Sequence, residues 1–564
     1  MTLDETYERI LLGIDREKRD HAIRLLKCIA FSRRPLRVEE LAEILAVRFD
    51  TTIPRLYTSL RPGDAEEAVL SACSTLVTTI KLRDFDWSHD NYPYNSRLVV
   101  QFSHYSVKEF LTSGRLAESD KRDLSQYYIS PERAHTILAQ SCISTLLRLD
   151  IRFRDIEKFF PLAEYAAQNW FHHAQCDDVA CRIQDGMVHL FDPDKKHFSL
   201  WISIYDVDNP DYGTSAFTKT KASPLYYAAL CGITSLVEDL IITRQQDPNK
   251  SRGKQGTPLH VAVASGHTTI VRLLLDHTAN VNARGMHTST PLCVAVRSGH
   301  LDIAQLLLSH GANINSLNSR DIFGNTLLHE AVRSRKLDVT EFLLKVDVDV
   351  NVRNRDNWTP LHEAADMGDF DIVRLLFNNG ADSNIVDRRG DSPLHRAVRY
   401  QKHDTVELLV KIGADVNVRS VDDQTPLHEA VRGGNLNIIK ILLSHGANVN
   451  ALDYFGDSPL HKALQSKKNH IVGEPFHTSQ QATAQLLLEH GADVNVRGWG
   501  HGTPLHLASL GGFLDVSRLL IEHGADIDAQ DDDGQTPFSI ALANGHRKLA
   551  HLLSNDRVPP EHDA

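Results

Sequence analysis

Apolar residues in the second half of the chain recur as pairs of short runs separated by similar polar stretches. One run, Ile438-Ile439-Lys440-Ile441-Leu442-Leu443, is followed closely by Gly446. This spacing predicts a short helix with one buried face, and the glycine is typical of a left-handed helix C-cap. The preceding run, around Leu427 and Ala430, predicts a shorter partner helix. This half is therefore predicted to be a series of paired short helices.

A four-residue motif opens each predicted helix pair. It begins with Thr or Ser and in most copies continues Pro-Leu-His, which suits an N-cap hydroxyl followed by a proline in the first helical position. The copies begin at Ser223, Thr257, Thr290, Thr326, Thr359, Ser392, Thr425, Ser458, Thr503 and Thr536. Their spacings are 34, 33, 36, 33, 33, 33, 33, 45 and 33 residues. A period near 33 with a Thr-Pro-Leu-His-x-Ala core resembles the ankyrin repeat.

Histidine fills the fourth position of the motif in seven copies: His260, His329, His362, His395, His428, His461 and His506. A second set lies just before the glycine that ends a helix: His277, His310, His445, His490 and His523. Since the first set shares one repeat position, we predict that these rings form hydrogen bonds to neighbouring loop backbone. Both sets are interpreted as structural rather than metal-binding or catalytic.

Two intervals are longer than the period. The interval of 45 residues places its surplus around residues 466–481, between the two helices of one repeat. We expect a surface loop there, which is either a neutral insertion, the favoured interpretation, or a partner contact. The interval of 36 residues places three extra residues near 316–322, in a hairpin.

A second period of 66 residues, or two repeats, is superimposed on the first. Six residues before each Thr or Ser, alternate repeats carry Arg284, Arg353, Arg419 and Arg497. In the lengthened hairpin this position is either Arg320 or, discounting the three extra residues, Leu317. Two residues before each Thr or Ser, glycine alternates with other residues. The pattern reflects either duplication of repeat pairs or a functional row of arginines.

The functional interpretation places the arginine row along the hairpin edge, near two tryptophans. Arg and Trp are enriched at the energetic centres of protein interfaces. The candidate protein-binding residues are therefore Arg284, Arg353, Trp358, Arg419, Arg497 and Trp499.

The first two hundred residues lack the period. Their apolar spacing predicts helices over 17–31, 38–46 and 65–74, strands over 75–82 and 97–102, and a helix over 104–111. Three helices followed by two strands is a winged-helix order. The third helix would contact DNA, but it carries Glu66 and Glu67 and no Lys or Arg. A winged-helix DNA-binding regulator is therefore kept only as a weaker alternative.

Four segments of this half resemble parts of a known family. Residues 32–42 (SRRPLRVEELA) and 102–111 (FSHYSVKEFL) look like the winged-helix segment that follows the NTPase in fungal NACHT-type signalling proteins. Residues 161–170 (PLAEYAAQNW) and 200–205 (LWISIY) are similar to the helical connector that precedes ankyrin repeats in that family. We therefore divide the chain into a winged-helix-like domain (1–120), a helical connector (121–215), ankyrin repeats (216–556) and a flexible tail (557–564).

The resemblance implies an NTPase, but no phosphate-binding G-x-x-x-x-G-K-[ST] sequence occurs in the chain. Without that loop and its lysine, nucleotide hydrolysis has no basis here. We expect either a free-standing adaptor or the regulatory half of a NACHT-type switch whose NTPase lies upstream or in a partner. The sequence leaves open whether this is a complete protein or a truncated gene product.

Composition narrows the function classes further. A net charge of −12 argues against general polyanion binding, and seven scattered cysteines do not form a disulfide framework. His172, His173, Cys176 and Cys181 lack the second ligand pair of a structural zinc site. Without a signal peptide or a spanning apolar run, we expect an intracellular, cytoplasmic location, with the nucleus left open.

These observations predict a mainly α-helical protein. An N-terminal winged-helix domain and helical connector are followed by an ankyrin-repeat α-solenoid of about ten repeats. The expected function is that of a non-catalytic adaptor or sensor, whose protein partner the sequence does not identify. We expect no enzymatic activity, cofactor, metal, small-molecule substrate, nucleic acid or membrane to be involved.

Overall fold

The computed structural model describes most of the chain, which folds as two compact units, Met1–Asn313 and Ile314–Ala564. The described residues are 2–82, 97–119, 121–149, 156–176, 178–208, 222–250, 253–286, 289–346, 348–465 and 476–555. The predicted domain boundaries at residues 120, 215 and 556 and the predicted tail lie outside them. Those boundaries stay predictions.

The first unit begins with short helices around a small antiparallel sheet. Its first helices are Leu3–Leu12, Arg19–Phe31, Val38–Leu45, Ala65–Cys73, Tyr105–Thr112, Gly114–Ala117 and Arg122–Ser125. Strand Arg97–Phe102 lies between Leu36–Arg37 and Val77–Leu82. A separate pair of strands joins Val47–Arg48 to Arg55–Leu56. The predicted helices and strands are confirmed to within two residues, whereas the first helix and the three shortest strands were not predicted.

A helical segment follows and shares a core with these elements. Its helices are Pro131–Arg148, Ile156–Phe159, Ala163–Ala174, Val179–Arg182, Gln184–Leu190 and His197–Ile204. Helix Pro131–Arg148 packs against both Arg19–Phe31 and Ala163–Ala174. The buried Glu43 carboxylate accepts a hydrogen bond from the Leu162 backbone N–H at 2.8 Å. Because a buried carboxylate needs such partners, this bond ties the N-terminal helices to the segment after them.

Paired helices make up the rest of both units. In the first unit the pairs are Pro224–Cys231 with Thr234–Ile242, Pro258–Ala264 with Thr268–Asp276, and Pro291–Ser298 with Leu301–Ser309. In the second unit they are Leu327–Arg333 with Leu337–Lys345, Pro360–Met367 with Phe370–Asn378, Pro393–Arg399 with His403–Lys411, Pro426–Gly433 with Leu436–Ser444, Pro459–Gln465 with Phe476–Glu489, Pro504–Gly511 with Leu514–Glu522, and Pro537–Ala543 with Arg547–Asn555.

The ends of these helices follow the predicted chemistry. The Ser392 hydroxyl accepts a hydrogen bond from the His395 backbone N–H, and Pro393 takes the first helical position. Gly446 has a φ of +86°, the left-handed conformation expected of a helix C-cap. Apolar residues such as Leu427 and Leu442 are fully buried. Each helix pair therefore buries its apolar face against its neighbours.

The two long intervals differ from each other. The three extra residues of the shorter one are accommodated in a 3-10 helix, Ile314–Asn318, that buries Leu317. In the longer one, residues 466–475 lie outside the described part. Residues 476–481 belong to helix Phe476–Glu489, which has 14 residues where the other second helices of the described repeats have nine. The prediction of a loop was therefore wrong for residues 476–481, because the surplus extends a helix.

The first repeat is joined to the preceding helical segment by two tyrosines. Tyr226 occupies the histidine position of the motif, and its hydroxyl donates to Asp208 Oδ1 at 2.9 Å. The Tyr227 hydroxyl donates to Asp206 Oδ1 at 2.9 Å. The Tyr227 ring also packs against Trp201, at 6.0 Å between centroids. The Tyr226 hydroxyl also accepts a hydrogen bond from the Gln255 N–H of the next repeat at 3.2 Å, so the first repeat is bonded both to residues 206–208 and to its neighbour.

Candidate protein-interaction surface

The seven histidines of the motif form a buried row that joins consecutive repeats. In each, Nδ1 accepts a hydrogen bond from the backbone N–H of the capping Thr or Ser, at 3.0–3.3 Å. Nε2 donates to a backbone carbonyl of the next hairpin, at 3.0–3.2 Å. The predicted hydrogen bonding to loop backbone is confirmed.

Burial lowers the pKa of all seven rings. The pKa falls to about 4 for His362 and to about 4 for His428. A backbone N–H can only donate and a carbonyl can only accept, so each ring must be neutral with its proton on Nε2. These histidines are therefore fully engaged in holding the repeats together.

Histidines of the second set bond within their own helices. Nδ1 of His310, His445, His490 and His523 donates to the carbonyl four residues earlier, at 2.8–2.9 Å. These bonds satisfy carbonyls that lack a partner at a helix C-terminus. They agree with the structural interpretation of this set.

A row of exposed residue pairs runs along the outer turns of the hairpins in the second unit. We name it the tip strip and define it as the residues four and three positions before each capping Thr or Ser. Its members are Ile322-Phe323, Arg355-Asp356, Arg388-Arg389, Val421-Asp422, Tyr454-Phe455, Trp499-Gly500 and Asp532-Asp533, all of which are exposed. The same positions therefore carry apolar, basic, aromatic and acidic side chains in turn.

Backbone hydrogen bonds hold successive tips side by side. In most tips the N–H of the first residue donates to the carbonyl of the second residue of the preceding tip, as from Arg388 to Asp356 at 3.1 Å, Val421 to Arg389 at 2.7 Å and Tyr454 to Asp422 at 2.9 Å. The Trp499 N–H instead donates to Asp457 Oδ1 at 3.1 Å. The residue after each tip pair has a positive φ: Gly324, Asn357, Gly390, Asp423, Gly456, His501 and Gly534. The alternating glycines of the sequence thus share one left-handed position with Asn, Asp and His, which tolerate it.

Three aromatic side chains form a contiguous exposed group on the tip strip. Tyr454 is 72% exposed, Phe455 50% and Trp499 78%. Their rings lie in contact, with 5.4 Å between the centroids of Tyr454 and Phe455 and 6.5 Å between those of Phe455 and Trp499. A contiguous exposed aromatic group of this kind marks an interaction site.

The arginines predicted as a binding row lie beside the tips, and two of them bond to the next hairpin. Arg419 Nη1 donates to the Leu452 carbonyl at 3.1 Å, and Arg497 Nη1 donates to the Gln530 carbonyl at 3.0 Å. Arg320 makes the same bond to the Arg353 carbonyl, so Arg320 and not Leu317 occupies this repeat position. The side chains of Arg284 and Arg353 are exposed.

The two candidate tryptophans lie in different environments. Trp358 is half-buried: the Arg396 guanidinium lies 4.1 Å from its ring centroid, and its indole N–H donates to Asp387 at 3.1 Å. Trp499 is exposed at the tip strip beside Phe455. The structure therefore brings Trp499, but not Trp358, together with an exposed aromatic group.

The sequence analysis missed Tyr454, Phe455 and Val421 as surface candidates. The available signal was variation between repeats, since the tip positions differ in every copy while the neighbouring capping residue and histidine recur. Repeated residues specify the common scaffold, and variable ones are where repeats can differ in binding.

Within the described residues, no group of three or more His, Cys, Asp or Glu side chains is placed to hold a metal ion. His173, from the predicted weak cluster, instead contacts His135 Nδ1 at 2.9 Å and the Tyr165 hydroxyl at 2.9 Å. Of the helices in the same part of the chain, none has the length and apolar character needed to cross a bilayer.

Comparison with known proteins places the repeats in a family. The family "Ankyrin repeats (3 copies)" matches residues 225–318, 328–420, 394–498 and 470–562, more than half of the chain. The azaphilone pigments biosynthesis cluster protein L of Monascus ruber is 31% identical over 297 residues, covering 50% of this chain and 60% of the relative. The alpha-latrocrustotoxin-Lt1a of Latrodectus tredecimguttatus is 37% identical over 62 residues, covering 11% of this chain and 4% of the toxin.

Among solved structures, the ankyrin repeat domain of Bcl-3, described as a unique member of the IkappaB protein family, is 30% identical. The matched region covers 41% of this chain and 99% of the Bcl-3 domain, with a TM-score of 0.36. The match spans less than two thirds of the length of either curated relative.

Proposed function

The chain belongs to the ankyrin-repeat family, and we propose that it is a non-catalytic adaptor or sensor that binds a protein partner along its tip strip. The observation that carries the proposal is the exposed aromatic group of Tyr454, Phe455 and Trp499. Aromatic side chains are enriched at the centres of protein interfaces, where their burial supplies much of the binding free energy. Exposure of three touching rings therefore favours a role in binding.

The proposed array has ten repeats. Each of the ten capping residues from Ser223 to Thr536 precedes a helix pair, which supports this number. The varied side chains of the tip strip would then be read by a partner across several repeats. Such extended contact is how repeat proteins distribute affinity over a long surface.

Within this surface we assign two roles to the residues predicted from sequence. Arg419 and Arg497 bond to the next hairpin and keep adjacent tips at a fixed spacing. Trp499 contacts the partner directly, as does the exposed Arg353 of the same unit. Trp358, whose ring is in contact with the Arg396 guanidinium, stabilises its own hairpin instead.

Affinity capture with the full-length chain tests the proposed function. The double variant Tyr454→Ala/Trp499→Ala is expected to lose the captured partner, because the centre of the surface is removed. Tyr105→Ala is the matched control, since Tyr105 is also 72% exposed but lies in the N-terminal helices. Equal recovery of the partner by the wild type and the double variant would refute the assignment.

A regulatory role within a NACHT-type switch is a second candidate for the N-terminal part. Three helices and a sheet in which Arg97–Phe102 pairs with Val77–Leu82 support the winged-helix interpretation. The resemblance of residues 32–42 and 102–111 to that family adds to it. Sequencing of full-length transcripts tests this candidate, which predicts a phosphate-binding loop encoded upstream or in a co-purifying partner.

DNA binding by the same part is disfavoured. Glu66 and Glu67 are both exposed at the start of helix Ala65–Cys73, where they would face phosphates. We expect the full-length chain to pass through heparin at moderate salt without retention. Retention that disappears on charge reversal elsewhere in residues 2–119 would revive the DNA-binding alternative.

A further inference from the structure

The tip strip has a symmetrical arrangement of chemical types around one hairpin. Its centre is the aromatic tip Tyr454-Phe455. One tip away on either side lie Val421-Asp422 and Trp499-Gly500, which each present one exposed apolar side chain. Two tips away lie Arg388-Arg389 on one side and Asp532-Asp533 on the other, so that equal distances from the centre carry opposite charges.

This arrangement is self-complementary under a two-fold rotation. In an isologous interface, if residue i of one copy contacts residue j of the other, then j contacts i as well. With the axis at Tyr454-Phe455, the aromatic tips of two antiparallel strips meet. Each Val421 then faces a Trp499, and each Arg388-Arg389 pair faces an Asp532-Asp533 pair. We propose that the tip strip pairs with the tip strip of a second copy of this chain.

The charged ends of the strip are open to such pairing. Among the described residues, neither the Arg389 guanidinium nor the Asp533 carboxylate has an ion-pair partner within the chain. Arg388 reaches Asp356 only at 4.0 Å, between two exposed side chains. Asp532 lies 2.5 Å from Nδ1 of the exposed His501. Opposite charges at the ends fix register and orientation more than they add affinity.

The apolar centre sets the expected strength. Burying the exposed parts of Tyr454, Phe455 and Trp499 removes roughly 400 Å² per copy from water, given about 150–250 Å² for a whole aromatic side chain. With the charged tips, the pair buries on the order of 1,000 Å², near the lower limit for a specific interface. The dimer is therefore weak and reversible, and it dissociates on dilution.

A second copy explains more of the strip than another occupant does. A basic segment of a different protein would match Asp532-Asp533 but leave Arg388-Arg389 unmatched. An acidic segment would match Arg388-Arg389 but leave Asp532-Asp533 unmatched. Only a partner that carries both charges in the reverse order satisfies both ends, and this chain is such a partner. The inference rests on the proposed protein-binding role of the tip strip and names the partner.

Sedimentation equilibrium of the purified full-length chain, over about a hundredfold range of concentration, tests the pairing. The wild type is expected to dimerise as the concentration rises. Two charge-reversal variants, Arg388→Asp/Arg389→Asp and Asp532→Arg/Asp533→Arg, place like charges at both ends of the pair. Each is expected to raise the dimer dissociation constant at least tenfold. Both should retain the wild-type circular dichroism, because every altered side chain is exposed.

An equimolar mixture of the two variants provides the decisive measurement. At one end of the mixed pair the two reversed sites face each other, and at the other end the two unaltered sites do, so opposite charges meet at both ends. The mixture should therefore regain the wild-type dimer, which damaged folding could not produce. A wild type that stays monomeric, variants that dimerise normally, or a mixture that stays monomeric would each overturn the proposal.

The outcomes also separate this inference from the proposed function. A monomeric wild type that still captures another protein through Trp499 would overturn self-pairing and leave the binding role intact. Loss of both capture and dimerisation in the Tyr454→Ala/Trp499→Ala variant, with recovery of the dimer in the charge-reversed mixture, supports both.

Discussion

The histidine row and the tip strip occupy the same hairpins and follow the same period, yet they differ in almost every physical respect. Each histidine is buried, neutral and bonded at both ring nitrogens to backbone atoms. Histidine recurs at this position in seven of the ten copies of the motif. The tip residues lie a few positions earlier in the chain, are exposed, and change from apolar to basic to aromatic to acidic.

The difference shows how a repeat protein separates stability from recognition. A histidine that bridges two hairpins must meet the equivalent carbonyl in each repeat, so seven of the ten copies of the motif keep the same residue at this position. Tip pairs are held to their neighbours chiefly by backbone bonds, with a few exposed side-chain contacts such as that of Asp532 with His501, so their side chains can vary without disturbing the array. Variation among repeats is therefore a better guide to the binding surface than repetition.

Acidification is expected to produce the largest effect, through the buried histidines and not through the tip strip; outside the row, the pKa of the buried His173 is lowered to about 3, so it adds to the effect. The pKa of His362 and of His428 is about 4 in the folded protein against an ordinary 6.5, so below pH 6.5 the unfolded chain takes up protons that the folded one does not. The free energy of unfolding is therefore full above pH 6.5 and decreases as the pH falls toward 4. Each of these two histidines contributes a decrease of about 1.4 kcal/mol per pH unit. Urea unfolding at pH 7 and pH 5 measures the loss. An unchanged unfolding midpoint would contradict it.

Removing one histidine of the row is the next largest change. His428→Ala leaves the Thr425 N–H and the Asp457 carbonyl without their ring partners, at a cost of about 2–4 kcal/mol in the free energy of unfolding. His445→Ala is the matched control, because that exposed ring bonds only to atoms of its own helix, the Ile441 carbonyl and the Ser444 hydroxyl, at a cost of about 1 kcal/mol or less. Equal losses for the two variants, measured in urea, would remove the distinction between the two histidine sets.

Arg497→Ala tests how much the hydrogen bond from an arginine beside the tip strip to the next hairpin contributes to stability. The variant loses the hydrogen bond to the Gln530 carbonyl, and we expect the free energy of unfolding to fall by about 0.5–1 kcal/mol. Arg389→Ala serves as a control at low protein concentration, since its guanidinium has no ion pair among the described residues. Equal free energies of unfolding for the two variants would show that the bond to the next hairpin contributes nothing to stability.

Trp499→Ala is expected to have the smallest effect on stability, within about 0.5 kcal/mol, because the ring is 78% exposed. Partner recovery should nevertheless fall at least tenfold, as for an interface centre. Trp358→Ala should do the reverse, destabilising the protein through lost contacts with Arg396 and Asp387 while changing recovery less. If both variants behaved alike in urea unfolding, the two tryptophans would share one role.

Local chemistry explains why much of this fold was predictable. A hydroxyl before Pro-Leu specifies a helix start, and Gly446 specifies an end, whatever surrounds them. The histidine bonds were predictable because the period itself places each ring beside the next hairpin. In the N-terminal part, helix Arg19–Phe31 and strand Arg97–Phe102 followed from apolar spacing alone.

Features that depend on distant neighbours were not predictable in the same way. The two-residue strand Leu36–Arg37 exists because Arg97–Phe102 pairs with it across more than half of the N-terminal domain. Trp358 and Trp499 stand at different repeat positions, one and four residues before the capping residue, and the contact of Trp358 with Arg396 of the next repeat forms only when the repeats stack. The aromatic group was missed because Phe455 and Trp499 are separated by the enlarged repeat and meet only when hairpins stack.

The two tyrosines of the first repeat determine where this protein can be dissected. A recombinant fragment that begins at residue 222 keeps every helix of the repeats but removes Asp206 and Asp208, the acceptors for Tyr227 and Tyr226. The two buried hydroxyls would then lose the acceptors for their protons, although Tyr226 would keep the hydrogen bond from the Gln255 N–H, and part of an aromatic core would be exposed to water. The natural start of an excised repeat module is therefore upstream of its first helix, and fragments for structural work should retain helix His197–Ile204 and the acidic residues that follow it.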